Sequence, residues 1–312
     1  MKEIGGYIEL QLKNNKNFLH DDLIRINSGR NGIVYAIKAY GIKELWVPYY
    51  TCPVVWNAIE QVGCSLKYYS IDKDFLPVET FEQNDFILYN NYFGICSKQI
   101  LYLESLYPNL IVDNAQGFYQ EPRGIASAYS PRKFFGVSDG GYVYSKKKLT
   151  DDFERDYSYD RFSHLLKRID VDSNFGYKDF MENDDSLINA DIKIMSNLTQ
   201  KILASIDYAE AKRKRINNFA YLSSELENYN ELNITISNDI PMYYPFLNKK
   251  CLRKKLVDNK VYIPCCWKEM DKRCLSNSYE LYLQGNLLPL IIDQRYDLED
   301  MKRMVSIIKS SI

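Results

Sequence analysis

The chain has 312 residues, 46% of them hydrophobic, with 40 basic against 41 acidic side chains and a formal net charge of -1. Such a length supports a substantial core and a division into two domains, expected at 1–205 and 206–312. The balanced charge lacks the basic surplus that a nucleic-acid partner requires, and the longest apolar runs, such as LLPLII at 287–292, are too short for membrane insertion.

The first half alternates short apolar strands with helices. LIRINSG (23–29) leads into a helix over NGIVYAIKAYG (31–41), ELWVPYY (44–50) reads as a strand, and PVVWNAIEQVG (53–63) as a helix stopped by glycine. Strands follow at LKYYSID (66–72) and FILYNNY (86–92), a helix at KQILYLESLYP (98–108), then strands at NLIVDNA (109–115), ASAYS (126–130) and GYVYS (141–145). This order predicts an α/β three-layer sandwich around a mostly parallel sheet, with ligands beyond the carboxyl ends of the strands. Residues 147–185 are polar and read as a helical excursion or a partly mobile segment. Residues 195–228 read as one long charged helix whose KRKR run (212–215) is its wetted face. A smaller C-terminal α+β unit is expected from a strand at PMYYPFL, a helix at CLRKKLVDN, a strand at KVYIPCCW and a final helix over 297–312.

Seven scattered cysteines and an N-terminal stretch too polar for a secretory signal predict free thiols in a cytoplasmic setting. Cys265-Cys266 with Cys274 lacks zinc-ligand spacing, and with two histidines in the chain no metal site is expected. Neither GxxxxGK[ST] nor GxGxxG occurs.

Asp113 in VDNAQ (112–116) ends a central strand, and Lys133 in YSPRKFFGVSDGG (129–141) lies one strand further on. A lysine and a carboxylate at one sheet mouth suit Schiff-base chemistry on a pyridine aldehyde: the amine attacks the aldehyde, and the carboxylate keeps the ring nitrogen protonated. The plainer alternatives are a turn-forming aspartate and a surface ion pair. In SGRNG (28–32), the backbone N–H groups of Gly29, Arg30 and Asn31 stand at a helix N-terminus where a phosphate could sit, with an ordinary helix cap as the alternative. Ser130, three residues before Lys133, offers a hydroxyl to the same phosphate.

SGRNG, VPYYTCPVVWNAI (47–59), VDNAQ, SPRKFFGVSDGG and the C-terminal LPLIIDQRYDLEDMKRMVSII together resemble the DegT/DnrJ/EryC1/StrS family of sugar aminotransferases. The resemblance implies the aspartate-aminotransferase type of fold, pyridoxal 5'-phosphate as cofactor, and a homodimer. It implies an amino-acid donor, glutamate by analogy, and a nucleotide-linked keto-sugar acceptor used in polysaccharide or glycoconjugate biosynthesis. It gives Lys133 the role of holding the cofactor aldehyde, Asp113 that of facing the ring nitrogen, and Gln116 a place beside the ring. Gly29 and Arg30 match the phosphate side, and Asp139-Gly140-Gly141 the acidic turn after the lysine. The chain departs from the family pattern in four places. Ala128 replaces a phosphate-binding serine, so Ser127 or Ser130 is expected to take over. Cys52 replaces a ring-stacking aromatic, with Tyr92 or Phe93 as the expected substitute. Asn91 replaces a histidine, and only Ile194-Met195-Ser196 remains of an asparagine-arginine-methionine-serine segment. These departures raise a second reading, a protein that keeps the fold and binds a sugar nucleotide or assists a partner enzyme without transaminating.

Overall fold

The structure, a computed structural model, describes residues 4–15, 18–267, 270, 272–276 and 278–312. The first half contains β1 (Ile24–Ile26), α1 (Gly29–Tyr40), β2 (Glu44–Pro48), α2 (Pro53–Gln61), β3 (Ser65–Tyr69), β4 (Ile87–Asn90), α3 (Ser97–Leu106), β5 (Leu110–Asn114), β6 (Ala126–Tyr129) and β7 (Gly141–Ser145). These strands form one seven-stranded sheet in the order β1-β7-β6-β5-β4-β2-β3. Strands β3, β2, β4, β5 and β6 are parallel, and β7 runs antiparallel to both β6 and β1. All four residues of β4 and of β6 are buried, as expected for strands covered on both faces.

Local chemistry sets the helix ends nearest the sheet mouth. Ser28 caps α1 by accepting from the Asn31 N–H at 3.2 Å, and Gly41 closes the helix in the left-handed region at φ 65. Helix α1 lies close on β6: a Cβ on Gly32 would stand 2.9 Å from that of Ala128. Pro53 opens α2 at its first turn, where a missing N–H costs no hydrogen bond.

The polar stretch after β7 holds two short helices, α4 (Ser163–Asp170) and α5 (Tyr177–Ser186). The single helix expected over 195–228 is two, α6 (Asn197–Ser205) and α7 (Tyr208–Leu226). Ile206 is extended and Asp207 starts a new helix by accepting from the Glu210 N–H at 2.9 Å. The KRKR run is not uniformly wetted: Lys212 and Arg213 are exposed, while Arg215 is 1% exposed.

In the C-terminal part, β8 (Tyr243–Leu247), α8 (Leu252–Asp258), α9 (Tyr279–Asn286), β9 (Leu287–Ile291) and α10 (Leu298–Lys309) follow. The strand expected at KVYIPCCW is irregular backbone; β8 pairs instead with β9, antiparallel, with Pro245 opposite Pro289. Helix α10 begins with a reciprocal capping box between Asp297 and Asp300.

Beneath the loop after β6 lies an aromatic cluster of Phe118, Tyr129, Phe134, Phe135, Tyr142 and Tyr208. The His20 ring packs on Phe118, Tyr129 and Tyr142, and its Nε2 donates to the Phe118 carbonyl. Burial pushes His20 down to about 4, against the pull of that carbonyl. Its folded value lies below the unfolded one, so the neutral ring stabilises the fold above about pH 6.5, and this contribution is lost as pH falls from 6.5 towards 4. Between pH 7 and pH 5 the loss is expected to be about 2 kcal/mol. Urea unfolding of wild type and His20→Phe at both pH values checks this: the stability gap should narrow by that amount at pH 5, and an equal gap would contradict a buried neutral ring.

Candidate active site

The carboxyl ends of β2, β4, β5 and β6 open on one side of the sheet, and most of the residues singled out from the sequence stand there. Asp113 is the penultimate residue of β5 and pairs in register with Asn90 of β4 and Ala128 of β6. Its Oδ1 accepts from the Ala115 N–H at 2.8 Å. Burial pushes the Asp113 carboxyl up, opposed first by Lys133 and then by the Ala115 N–H. The two candidate residues therefore face each other electrostatically.

Lys133 ends a short helical turn, Pro131–Lys133, directly after β6. The flanking phenylalanines explain its setting. Phe134 and Phe135 are both buried in the aromatic cluster and anchor the turn, while the lysine side chain is exposed. Among the described residues, the Lys133 amine makes no hydrogen bond or ion pair. It lies within Coulombic reach of Asp113, Cys52 and Cys266.

Cys52 occupies the N-cap of α2, where its thiol makes no capping bond. Burial pushes this thiol up, against Lys133 and Arg30. Cys266 joins the same cluster: burial pushes it up to about 12, and Lys133 is the strongest opposing charge. Cys266 was not expected at this site; it comes from the irregular segment misread as a strand, so nothing local placed it here.

On the phosphate side of the resemblance, Gly29 lies against the end of β6. A Cβ there would stand 3.0 Å from both the Ser130 Cβ and the Tyr129 carbonyl oxygen. The absence of that atom lets the first turn of α1 meet Ser130 directly. Arg30 follows, its Nη1 held by the carbonyls of Leu187 and Ile188 at 2.6 and 3.0 Å. Arg132, beside the lysine, pairs with Asp184 at 3.1 Å.

Two expected phosphate-side contributors have other partners. The Ser127 hydroxyl is wholly buried, donating to the Arg123 carbonyl at 2.8 Å and accepting from the Arg123 N–H at 2.9 Å. Strand alternation puts it on the face opposite Ala128, the residue packed on α1. The Asn31 N–H, the group expected at the phosphate, donates to the Ser28 hydroxyl at 3.2 Å as the helix cap, while its side-chain amide donates to Asn27 Oδ1 and to the carbonyls of Ala190 and Asp191 at 2.9, 3.0 and 2.9 Å. Tyr92 and Phe93 are fully buried, so neither offers a ring face to the cleft in place of Cys52. Asn91 is structural: its amide donates to Asn114 Oδ1 at 2.9 Å and its oxygen accepts from the Cys96 N–H at 3.0 Å.

Gln116 closes the other side. Its Oε1 accepts from the Phe93 N–H at 2.7 Å, which leaves Nε2 as its donor. The Asp139-Gly140-Gly141 turn locks the site to α6. Asp139 is 0% exposed and accepts from the Ser196 N–H at 2.9 Å, the Ser196 hydroxyl at 2.7 Å and the Thr199 hydroxyl. The surviving Ser196 of the family segment thus has a visible task, as N-cap of α6 and partner of this turn. Gly140 holds φ 119, and a Cβ on Gly141 would come within 2.3 Å of the Ser28 carbonyl carbon and oxygen. The glycines let this turn touch the start of α1.

No family model and no curated protein sequence matches the chain. Solved structures do. A DegT/DnrJ/EryC1/StrS aminotransferase from Brucella abortus superposes with a TM-score of 0.64 at 12% identity, over 92% of this chain and 85% of its own. The protein ntda from Bacillus subtilis, solved with bound cofactor PMP, gives 0.65 at 15% identity over 93% and 73%. A GDP-4-keto-6-deoxymannose-3-dehydratase with bound GDP-perosamine gives 0.64 at 14% over 92% and 88%. Together with the mixed, mostly parallel sheet, these similarities show that the chain has the fold of the DegT/DnrJ/EryC1/StrS sugar aminotransferases.

Proposed function

We propose that the chain is a pyridoxal 5'-phosphate-dependent aminotransferase that acts on a nucleotide-linked keto-sugar with an amino acid, glutamate by analogy, as donor. The observation that carries this reading is that Lys133 and the half-buried Asp113 stand within Coulombic reach of each other at the carboxyl end of the central strands. The residues present fit the cofactor. Lys133 would hold its aldehyde, Asp113 would accept a hydrogen bond from its ring nitrogen, and Gln116 Nε2 would donate beside the ring. The Gly29 and Arg30 N–H groups with the Ser130 hydroxyl would take the phosphate at the start of α1. When bound, the cofactor supplies an electron sink for the charge that develops at the substrate Cα.

The chain's own residues do the rest. Once the donor amine takes its place, Lys133 would be free to remove the Cα proton and to return it across the amine nitrogen to the carbon of the former aldehyde, as base and then acid. Its exposed side chain can reach between two such positions, while Phe134 and Phe135 keep its backbone still. Asp113 would hold the ring nitrogen by that hydrogen bond.

A homodimer is part of this proposal. Ile4, Tyr7, Ile8 and Leu10 in the N-terminal segment, with Ile169 and Phe175 around α4, are exposed apolar side chains that a second copy would cover. The free thiols fit a cytoplasmic setting.

Titrating the chain with pyridoxal phosphate and then adding glutamate tests the reading. A lysine-linked absorbance band should form and then convert to that of the amine form of the cofactor, and a panel of nucleotide-linked keto-sugars should restore it. Failure to form the band in wild type rejects the cofactor. A band that no amino acid converts supports the alternative, a sugar-nucleotide-binding protein that does not transaminate.

A further inference from the structure

A circuit of hydrogen bonds runs from the lysine turn into the C-terminal part of the chain and back to Gln116. Phe134, the residue after Lys133, offers its carbonyl to Gln294 Nε2 at 2.7 Å. Gln294 Oε1 accepts from Arg215 Nε at 3.0 Å. Arg215 Nη1 donates to the carbonyls of Pro241 and Met242 at 3.3 and 3.2 Å, and its guanidinium carbon lies 4.5 Å from the centre of the Phe134 ring. The Met242 N–H donates to the Phe93 carbonyl at 2.8 Å, and the Phe93 N–H donates to Gln116 Oε1 at 2.7 Å.

Arg215 is the centre of this circuit, and its burial demands a reason. Asp293 lies within Coulombic reach, yet its carboxylate is forked onto Arg295 at 2.8 and 2.7 Å. Among the described residues, Arg215 itself forms no ion pair. A buried cation without a carboxylate partner is costly, and apolar side chains of similar size would fill the space more cheaply. What the guanidinium gains is a rigid fork that reaches three oxygens while its flat face covers a ring, which a lysine ammonium cannot do. Phe93 adds a second sign of constraint. It holds φ 55, uncommon for a side chain of its size, and both its N–H and its carbonyl are engaged in the circuit.

We propose that Arg215 is a positioning residue that sets Lys133 and Gln116 relative to each other, acting through Phe134 on one side and through Met242 and Phe93 on the other. Its functional meaning rests on the reading of Lys133 and Gln116 as parts of one cofactor site. The residue touches neither reacting group; it fixes the backbone next to Lys133 and, through Phe93, the side-chain amide of Gln116.

Arg215→Lys keeps the charge and removes the fork. In the cofactor-free full chain, amide hydrogen exchange over residues 131–137 and 91–96 is expected to rise about tenfold or more, because the lost bonds lower the cost of local opening. Exchange in β2, β5 and α3 should stay at wild-type rates. With pyridoxal phosphate added, the lysine-linked absorbance band should persist, while its induced circular dichroism falls by about half or more as the chromophore loses its fixed orientation. Gln294→Leu is the second variant: it cuts the bond to the Phe134 carbonyl and leaves the Met242 arm. It should loosen 131–137 and spare 91–96, and it decides the matter alone if Arg215→Lys does not fold. Unchanged exchange over 131–137 in either variant, or unchanged dichroism in folded Arg215→Lys, overturns the positioning role. Absence of a lysine-linked band in wild type would reject the cofactor reading instead, and the exchange measurements would still judge Arg215.

Discussion

Lys133→Ala is expected to abolish covalent capture of pyridoxal phosphate and to lower transamination by up to about four orders of magnitude, since in the proposed function the residue both holds the aldehyde and relays the proton. The same substitution should leave stability within about 1 kcal/mol, because an exposed side chain contributes little and its screened attraction to Asp113 adds no more than a surface ion pair. Lys133 is such a side chain: it is exposed and, among the described residues, makes no hydrogen bond. This combination separates a chemical loss from a folding loss. Borohydride reduction of the loaded protein followed by peptide mass mapping checks the first half, with the label expected on the peptide that carries Lys133. Urea unfolding checks the second. A variant that turns over at half the wild-type rate would remove Lys133 from the chemistry.

Asp113→Asn is expected to move activity and stability in opposite directions. Burial raises the Asp113 carboxyl above its ordinary value. A raised folded value means that the stability contributed by the protonated form is present at low pH and lost as pH rises through that value. At pH 7 the charged carboxylate is therefore a burden on the cofactor-free fold, offset in part by Lys133 and the Ala115 N–H. Asparagine keeps an acceptor for that N–H and carries no charge, so the cofactor-free variant should melt at a higher temperature than wild type. Turnover should drop by about 10²–10³-fold, the size seen when one preorganised electrostatic partner is removed. A variant less stable than wild type at pH 7, with activity retained, would contradict both expectations.

The sequence made the parallel strands easy to read, because strands buried on both faces are continuous apolar runs between turn residues. The positions of Asp113 near the end of β5 and of Lys133 in the turn after β6 were also legible, since neither can be absorbed into an apolar face. Other features depended on tertiary partners. KVYIPCCW has strand composition but, among the described residues, no strand that pairs with it, whereas LLPLI, interrupted by Pro289, finds β8. The break at Ile206-Asp207 is hidden in a charged run where aspartate reads as one more polar residue, although its capping bond ends the helix there. Arg215 was misassigned because a run of four basic residues suggests solvent. Helical spacing held a better clue: Ala211, Arg215, Asn218, Leu222 and Leu226 lie on one buried stripe of α7. Ser127 was placed near the phosphate by proximity in sequence, but strand alternation directs its hydroxyl elsewhere, and the Asn31 N–H expected there serves the Ser28 helix cap.

The two facing prolines of β8 and β9 have a consequence for behaviour in a crowded solution. A proline has no N–H to give, and two that oppose each other within an intact antiparallel pair have their missing donors on the outer margins. Each margin of this short ribbon therefore lacks a donor at its middle residue, where an incoming strand would need one to dock. The ribbon is thereby protected from recruiting strands of other molecules, so concentrated preparations should resist fibril-like growth from this end of the molecule.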